Sequence, residues 1–175
     1  MAMKWIIFAV VSTVIVMMFR KELFAFRRHG PYMFVAAEGL LVLFILNGGA
    51  MFEGIFTVKQ VLSWMFMLTS AAFAIFGFYG LKKHGQAVQN WENTTRLVRE
   101  GVFKHIRHPL YASLMLLATG MLLKDVSLGA AVACILTLCF LVIASRLEEG
   151  ENAAKFGAEY GSYSLRTKRY LPFVI

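Results

Sequence analysis

From Val61 to Leu81 the chain runs for twenty-one residues without a charged side chain, and four comparable stretches accompany that one. Trp5 to Phe19 is uncharged over fifteen residues, Leu110 to Leu123 over fourteen and Val126 to Ser145 over twenty. The twenty-two residues from Pro31 to Phe52 carry one charge, Glu38. A hydrocarbon core about 30 Å thick is crossed by roughly 20 apolar residues in a helix, which satisfies every backbone polar group within its own segment. Three runs have that length. The first attains it by including Ala2 to Lys4 and part of Arg20 to Phe26. The run at Leu110 is short, so it tilts little, begins earlier or forms half of a tight helical hairpin. One short apolar run also fits a buried soluble helix. Five of them in 175 residues, 59% hydrophobic and 16% charged, do not, since a soluble domain has about 25% charged residues.

The runs predict an all-α integral membrane protein of about five transmembrane helices, residues 1–175 forming a single membrane domain. Lys4 precedes an apolar stretch but no small-x-small cleavage site follows, so the first run is read as a retained helix rather than a signal peptide. The net charge is +8, and its distribution is informative. Assigning successive connections to alternate sides puts 15 of the 18 Lys and Arg residues on one side and Lys4, Lys59 and Lys124 on the other. The positive-inside rule then gives an N-terminus outside and a C-terminus in the cytoplasm. The basic excess is accounted for by topology and attraction to anionic lipid, with no nucleic-acid motif beside it. Cys134 and Cys139 are five apart in the last run and face different ways, which fits packing. No CxxC or HExxH spacing suggests a metal.

Polar chemistry gathers in the half from residue 82 to 175, behind three predicted helices in residues 1–81. The connection from Lys82 to Pro109 is longer than ordinary loops and holds Trp91, Leu97, Val98, Val102, Phe103 and Ile106, enough apolar side chains to fold against the membrane face. The tail from Arg146 onward sets Phe156, Tyr160, Tyr163, Tyr170 and Phe173 among charges. The densest cluster is Arg107-His108-Pro109-Leu110-Tyr111. Pro109 suits the first turn of a helix, where its missing N–H is not needed, so a guanidinium, an imidazole and a phenol meet at the helix mouth. Arg107 and Tyr111 also fit interfacial anchoring, which explains His108 less well. Glu148-Glu149 is expected to close the last membrane helix, where the macrodipole opposes carboxylates. Arg146 or a cationic ligand would relieve them. Only a few residues around Lys124 join the fourth and fifth runs, so these must be antiparallel neighbours, bringing the His108 cluster and the Glu pair to one side.

These residues resemble a known family. Leu97-Val98, Gly101-Val102-Phe103, the RHPxY sequence at Arg107 to Tyr111, Glu148-Glu149, Phe156-Gly157, Glu159-Tyr160, Tyr163 and Leu171-Pro172 together resemble the isoprenylcysteine carboxyl methyltransferase family, which shares its motif with phospholipid N-methyltransferases. The resemblance covers residues 89–172. It implies a membrane enzyme using S-adenosylmethionine and releasing S-adenosylhomocysteine, with a helical loop and tail forming the cofactor pocket at the cytoplasmic face. Carried over, Leu97, Val98, Phe103, His108, Pro109, Leu110, Tyr111 and Glu148 would hold the cofactor; Phe103 stands where relatives often have Tyr. Arg107, His108, Tyr111, Glu149 and Arg146 would form the catalytic set. The family's arginine one turn before the first Glu, associated with a substrate carboxylate, is replaced here by Ala144, unless Arg146 or Arg107 substitutes.

The implied partners are membrane lipids and a lipophilic or lipidated acceptor, which can be a carboxylate, a phospholipid amine, a thiol or a phenol. Glu38, an ionisable group inside a predicted span, is a candidate for the acceptor path and otherwise pairs within the bundle. Glu38 with Gly48-Gly49 also suggests a small transporter, against which the absence of an inverted repeat argues. A non-catalytic adaptor that kept the fold is the third reading, against which the intact RHPxY and Glu pair argue. Gly77, Gly80, Ala118 and Gly120 are small enough for close helix contacts, and oligomeric state is left open. His29, His84 and His105 are assigned no chemistry.

Overall fold

The computed structural model describes residues 2–85 and 95–171. Trp91, Pro172 and Phe173 lie outside them. Among the described residues six helices follow in chain order: α1 (Ala2–Phe19), α2 (Gly30–Asn47), α3 (Val58–His84), α4 (Pro109–Lys124), α5 (Leu128–Phe156) and α6 (Ala158–Arg166). Short 3-10 turns occupy Gly48–Ala50 and Gly101–Lys104. No strand is formed among the described residues, and Ile106 pairs with Lys168 in an isolated parallel bridge. The chain is thus all-helical. The stretch Gly30–Ala50, α3 and α5 are long and apolar enough to cross a membrane, whereas α1 and α4 are apolar but shorter.

Local chemistry sets the helix ends. Pro31 stands in the first turn of α2, and Gly48-Gly49 ends that helix before its apolar run is exhausted. Pro109 opens α4. The Ser127 hydroxyl accepts the Ala130 amide at 3.2 Å, capping α5. At its other end α5 continues past the apolar run, through Arg146 and on to Phe156. This corrects the expectation for Glu148-Glu149, which stand about two turns inside the helix, where the end dipole has faded. Leu147, the Glu pair and Ala153-Ala154-Lys155 are good helix formers that carry the helix on. It stops at Gly157, whose φ of +55° suits glycine.

The chain forms two compact units. The first comprises Met1–Met67 and Met115–Glu148. Its core joins Leu43 of α2, Ala118 and Met121 of α4, and Ala130 and Cys134 of α5. Polar side chains tie the same helices: Asn47 donates to the Met121 carbonyl at 2.7 Å, Ser63 to the Gly120 carbonyl at 2.7 Å and Gln60 to the Lys124 carbonyl at 3.0 Å. Lys124 is itself buried, with Nζ 3.0 Å from Gln60 Oε1, 3.2 Å from the Met51 carbonyl and 4.1 Å from the Trp64 ring centre. Gly120 lets α4 approach α3 closely, since a Cβ there would sit 2.7 Å from Met67 Cγ and 3.1 Å from the Ser63 carbonyl oxygen. Cys134 is buried and Cys139 exposed.

The second unit comprises Leu68–Leu114 and Glu149–Ile175. Here Gly77 and Gly80 of α3 do the same service. A Cβ at Gly77 would meet Leu110 Cδ2 at 2.8 Å, and one at Gly80 would meet the Phe103 ring at 3.1 Å. Ser70 donates to the Ser113 carbonyl at 2.7 Å. All three small residues therefore serve contacts within the chain.

Candidate functional site

The chain bends at Arg107 and enters α4 at Pro109, His108 standing outside the helix, as the bias of a pre-proline residue against helical geometry favours. Its backbone is clamped by the tail. The Arg107 amide donates to the Lys168 carbonyl at 2.8 Å, the His108 amide to the Arg169 carbonyl at 2.9 Å and the Lys168 amide to the His105 carbonyl at 3.1 Å. The tail can return this way because α6 packs on the residues ahead of the motif. Tyr160 and Tyr163 are its buried pair, the Tyr163 hydroxyl donates to the Phe103 carbonyl at 2.8 Å, and Arg99 pairs with Glu159 at 2.9 Å. Burial, followed by the neighbouring Tyr160, raises the Tyr163 phenol above its ordinary pKa.

Side chains converge on Glu149. Arg107 Nε donates to its Oε1 at 2.9 Å. Arg169 donates through Nη2 to Oε2 at 2.8 Å and through Nε to both oxygens at 3.1 and 3.2 Å. Arg107 Nη1 donates to the carbonyls of Ser164, at 2.9 Å, and Thr167. The hydrogen bond to Glu149 is the main influence raising the Arg169 pKa above its usual range. The carboxylate therefore has two cationic neighbours from its own chain, and neither is Arg146, which is exposed.

His108 is 4% exposed. Its Nε2 lies 3.4 Å from Glu149 Oε1 without forming an aligned hydrogen bond, and it has no other partner among the described residues. The ring stands edge-on to Tyr111, 5.3 Å between centres, and 6.2 Å from the Tyr170 ring. A buried ring nitrogen left without an aligned partner calls for an explanation, and a catalytic role is one such explanation. Beside this group a cavity of about 400 Å³ is lined by Arg107 and residues 164–169.

The other candidates are placed as follows. Val98 and Phe103 are buried, Leu97 is half-buried and Pro109 is buried at the start of α4. Leu110 packs on Gly77. Glu148 is half-buried and forms no ion pair among the described residues. With Arg146 and the fully buried Ala144 it belongs to the first unit, while Glu149 opens the second. Glu38 accepts a 2.9 Å hydrogen bond from Ser12 of α1, a pairing within the bundle. The sequence reading missed Arg169, Ser164 and Thr167. The basic run Arg166-Thr167-Lys168-Arg169 was visible, but nothing in it indicated a return to the motif. Among the described residues no group of three His, Cys, Asp or Glu could hold a metal ion.

The sequence model of the isoprenylcysteine carboxyl methyltransferase (ICMT) family matches residues 54–155, a stretch holding both the RHPxY motif and the Glu pair. No curated protein and no solved structure matches the chain.

Proposed function

The chain belongs to the isoprenylcysteine carboxyl methyltransferase family, and from that premise we propose that it is an integral membrane, S-adenosylmethionine-dependent methyltransferase acting on a lipophilic acceptor. The observation that carries the reading is the family match across residues 54–155, which contains the clustered Arg107, His108, Tyr111 and Glu149.

Five helices cross the membrane in this reading, with the N-terminus outside and the clustered site in the cytoplasm. The 18 residues of α1 and 16 of α4 give lengths of about 27 and 24 Å, close to a bilayer core of about 30 Å. The 29 residues of α5 reach about 44 Å, so its charged end extends beyond the hydrocarbon. The basic residues alternate accordingly.

The residues present fit the cofactor. Glu148 offers for an ammonium a half-buried carboxylate that has no ion pair among the described residues, Val98 and Phe103 supply apolar surface, and Tyr111 and His108 supply ring faces. Leu97, Pro109 and Leu110 complete the proposed binding set. When bound, S-adenosylmethionine supplies an electrophilic methyl group on a sulfonium, which reacts in line with an acceptor. The chain's own part is positioning, the exclusion of water and, for some acceptors, removal of a proton. A carboxylate acceptor needs no base, whereas a phospholipid amine or a thiol does. The buried, unsatisfied Nε2 of His108 favours the second kind, and so does Ala144 in place of an arginine on α5.

Calorimetric titration of the detergent-purified chain with S-adenosylmethionine tests the reading without knowledge of the acceptor. Micromolar binding by the wild type that is lost in Glu148→Gln, with an unchanged melting profile, is the expected result. Retained binding in that variant would remove Glu148 from the site. No binding by the folded wild type would remove the cofactor and bring the transporter and adaptor readings forward.

A further inference from the structure

Glu149 and Glu148 are neighbours in one helix and face directions about 100° apart, and among the described residues only Glu149 of the two has ion-pair partners. Both its oxygens are taken by guanidiniums, and its side chain is 15% exposed against 10% for Arg107. A carboxylate so occupied has little capacity left for a ligand's cation. Its two partners have another property in common: each is tied to the end of α6 or the segment that follows it. Arg169 belongs to that segment, and Arg107 holds the Ser164 carbonyl in the last turn of α6 and the Thr167 carbonyl just beyond it. The same segment delivers Tyr170 to the His108 ring and closes the backbone pairing at Ile106 and Lys168.

We propose that Glu149, Arg107 and Arg169 form a positioning clamp that straps residues 164–170 onto the RHPxY motif and so fixes His108. The clamp's catalytic consequence rests on the methyltransferase reading; the clamp itself does not. Bidentate Arg169 gives the geometry its specificity, because two parallel N–H donors on one carboxylate define an orientation that a lysine cannot reproduce. Arg107 links three parts at once: the motif that carries it, α5 through Glu149, and the strap through two carbonyls. His108 then has one ring edge on Tyr111 of α4, its Nε2 toward Glu149 of α5 and a ring contact with Tyr170 of the strap.

The strap carries its own reporter. Arg166 and Lys168 are exposed, and trypsin cleaves after them only when the strap lifts, at a rate that follows the population of the open form. In the full-length chain in detergent, Glu149→Gln and Arg169→Gln should each speed this cleavage about tenfold or more. The double variant should be no faster than the faster single, because the two side chains act as one unit. Glu148→Gln should be cleaved at the wild-type rate. The catalytic consequence is read on the same preparations. Glu149→Gln should bind S-adenosylhomocysteine with unchanged stoichiometry and affinity within about fivefold, while kcat falls by about thirtyfold or more. Loss of folding alone would instead lower the stoichiometry. Wild-type cleavage rates in Glu149→Gln, or additive effects in the double variant, would overturn the clamp. Lost S-adenosylhomocysteine binding in Glu149→Gln with slow cleavage would make Glu149 a ligand contact instead. A wild type that binds no S-adenosylhomocysteine would defeat the methyltransferase reading, and the cleavage comparison would still decide the clamp.

Discussion

His108 holds the most exposed role in the proposed chemistry and the most enclosed position in the cluster. Its ring is fixed by Tyr111 and Tyr170, and its Nε2 has a carboxylate near it but no aligned bond. In the proposed chemistry this group would take a proton from an acceptor. Replacement by Gln preserves polarity and approximate size but removes the base. With an amine or thiol acceptor, His108→Gln should lower kcat by about 10²–10⁴. With a carboxylate acceptor the loss should be much smaller, because no proton has to leave. Equal losses with both kinds of acceptor would make His108 a binding group and nothing more.

Among the elements, the glycines separate two kinds of position. Gly120 lies where α4 meets α3, and an added methyl would press on the Ser63 carbonyl and the Met67 backbone amide, neither of which can rotate away. Gly161 lies inside α6 with nothing within 4 Å of an added Cβ. The same substitution should therefore act in opposite directions. Gly120→Ala should destabilise by about 1–3 kcal/mol through overpacking, while Gly161→Ala should stabilise by about 0.5–1 kcal/mol by restraining the unfolded chain. Thermal unfolding in one detergent measures both, and a stabilised Gly120→Ala would show that the helices have room to part. The length of α5 is the other decisive feature. Its continuation to Phe156 carries Glu149 beyond the apolar run, where two arginines replace the end dipole as the relevant electrostatics.

For the whole molecule the open quantity is the path through the bilayer. Single cysteines in a chain whose Cys134 and Cys139 are replaced by Ala test it with a membrane-impermeant maleimide on intact cells. Cysteine at Lys4 and at Asp125 should label from outside, and cysteine at Lys21 and at Lys104 only after lysis. Asp125 and Lys104 labelling from the same side would remove α4 as a span. A fully inverted pattern would keep five spans and reverse the orientation.

Sequence alone established an all-helical chain with apolar helices of membrane length and its family. Uncharged runs of membrane length define helices whatever surrounds them, because an unpaired backbone in lipid is so costly, and Pro109 marks where α4 begins, whereas the end of α2 at Gly48-Gly49, inside its apolar run, came from the structure. The RHPxY and Glu-pair motifs were legible because a histidine between an arginine and a proline at a helix mouth, and adjacent carboxylates after an apolar run, need an explanation beyond anchoring, and because together they resemble a known family. Pairing was left to the tertiary structure. Nothing local distinguishes Arg169 from Arg166 or Lys168, and the distinction arises only when the tail returns along Ile106 and places one guanidinium against Glu149. Nor does local sequence divide Glu148 from Glu149. They are chemically identical neighbours, separated by the turn of a helix and by which of them the folded chain supplies with cations.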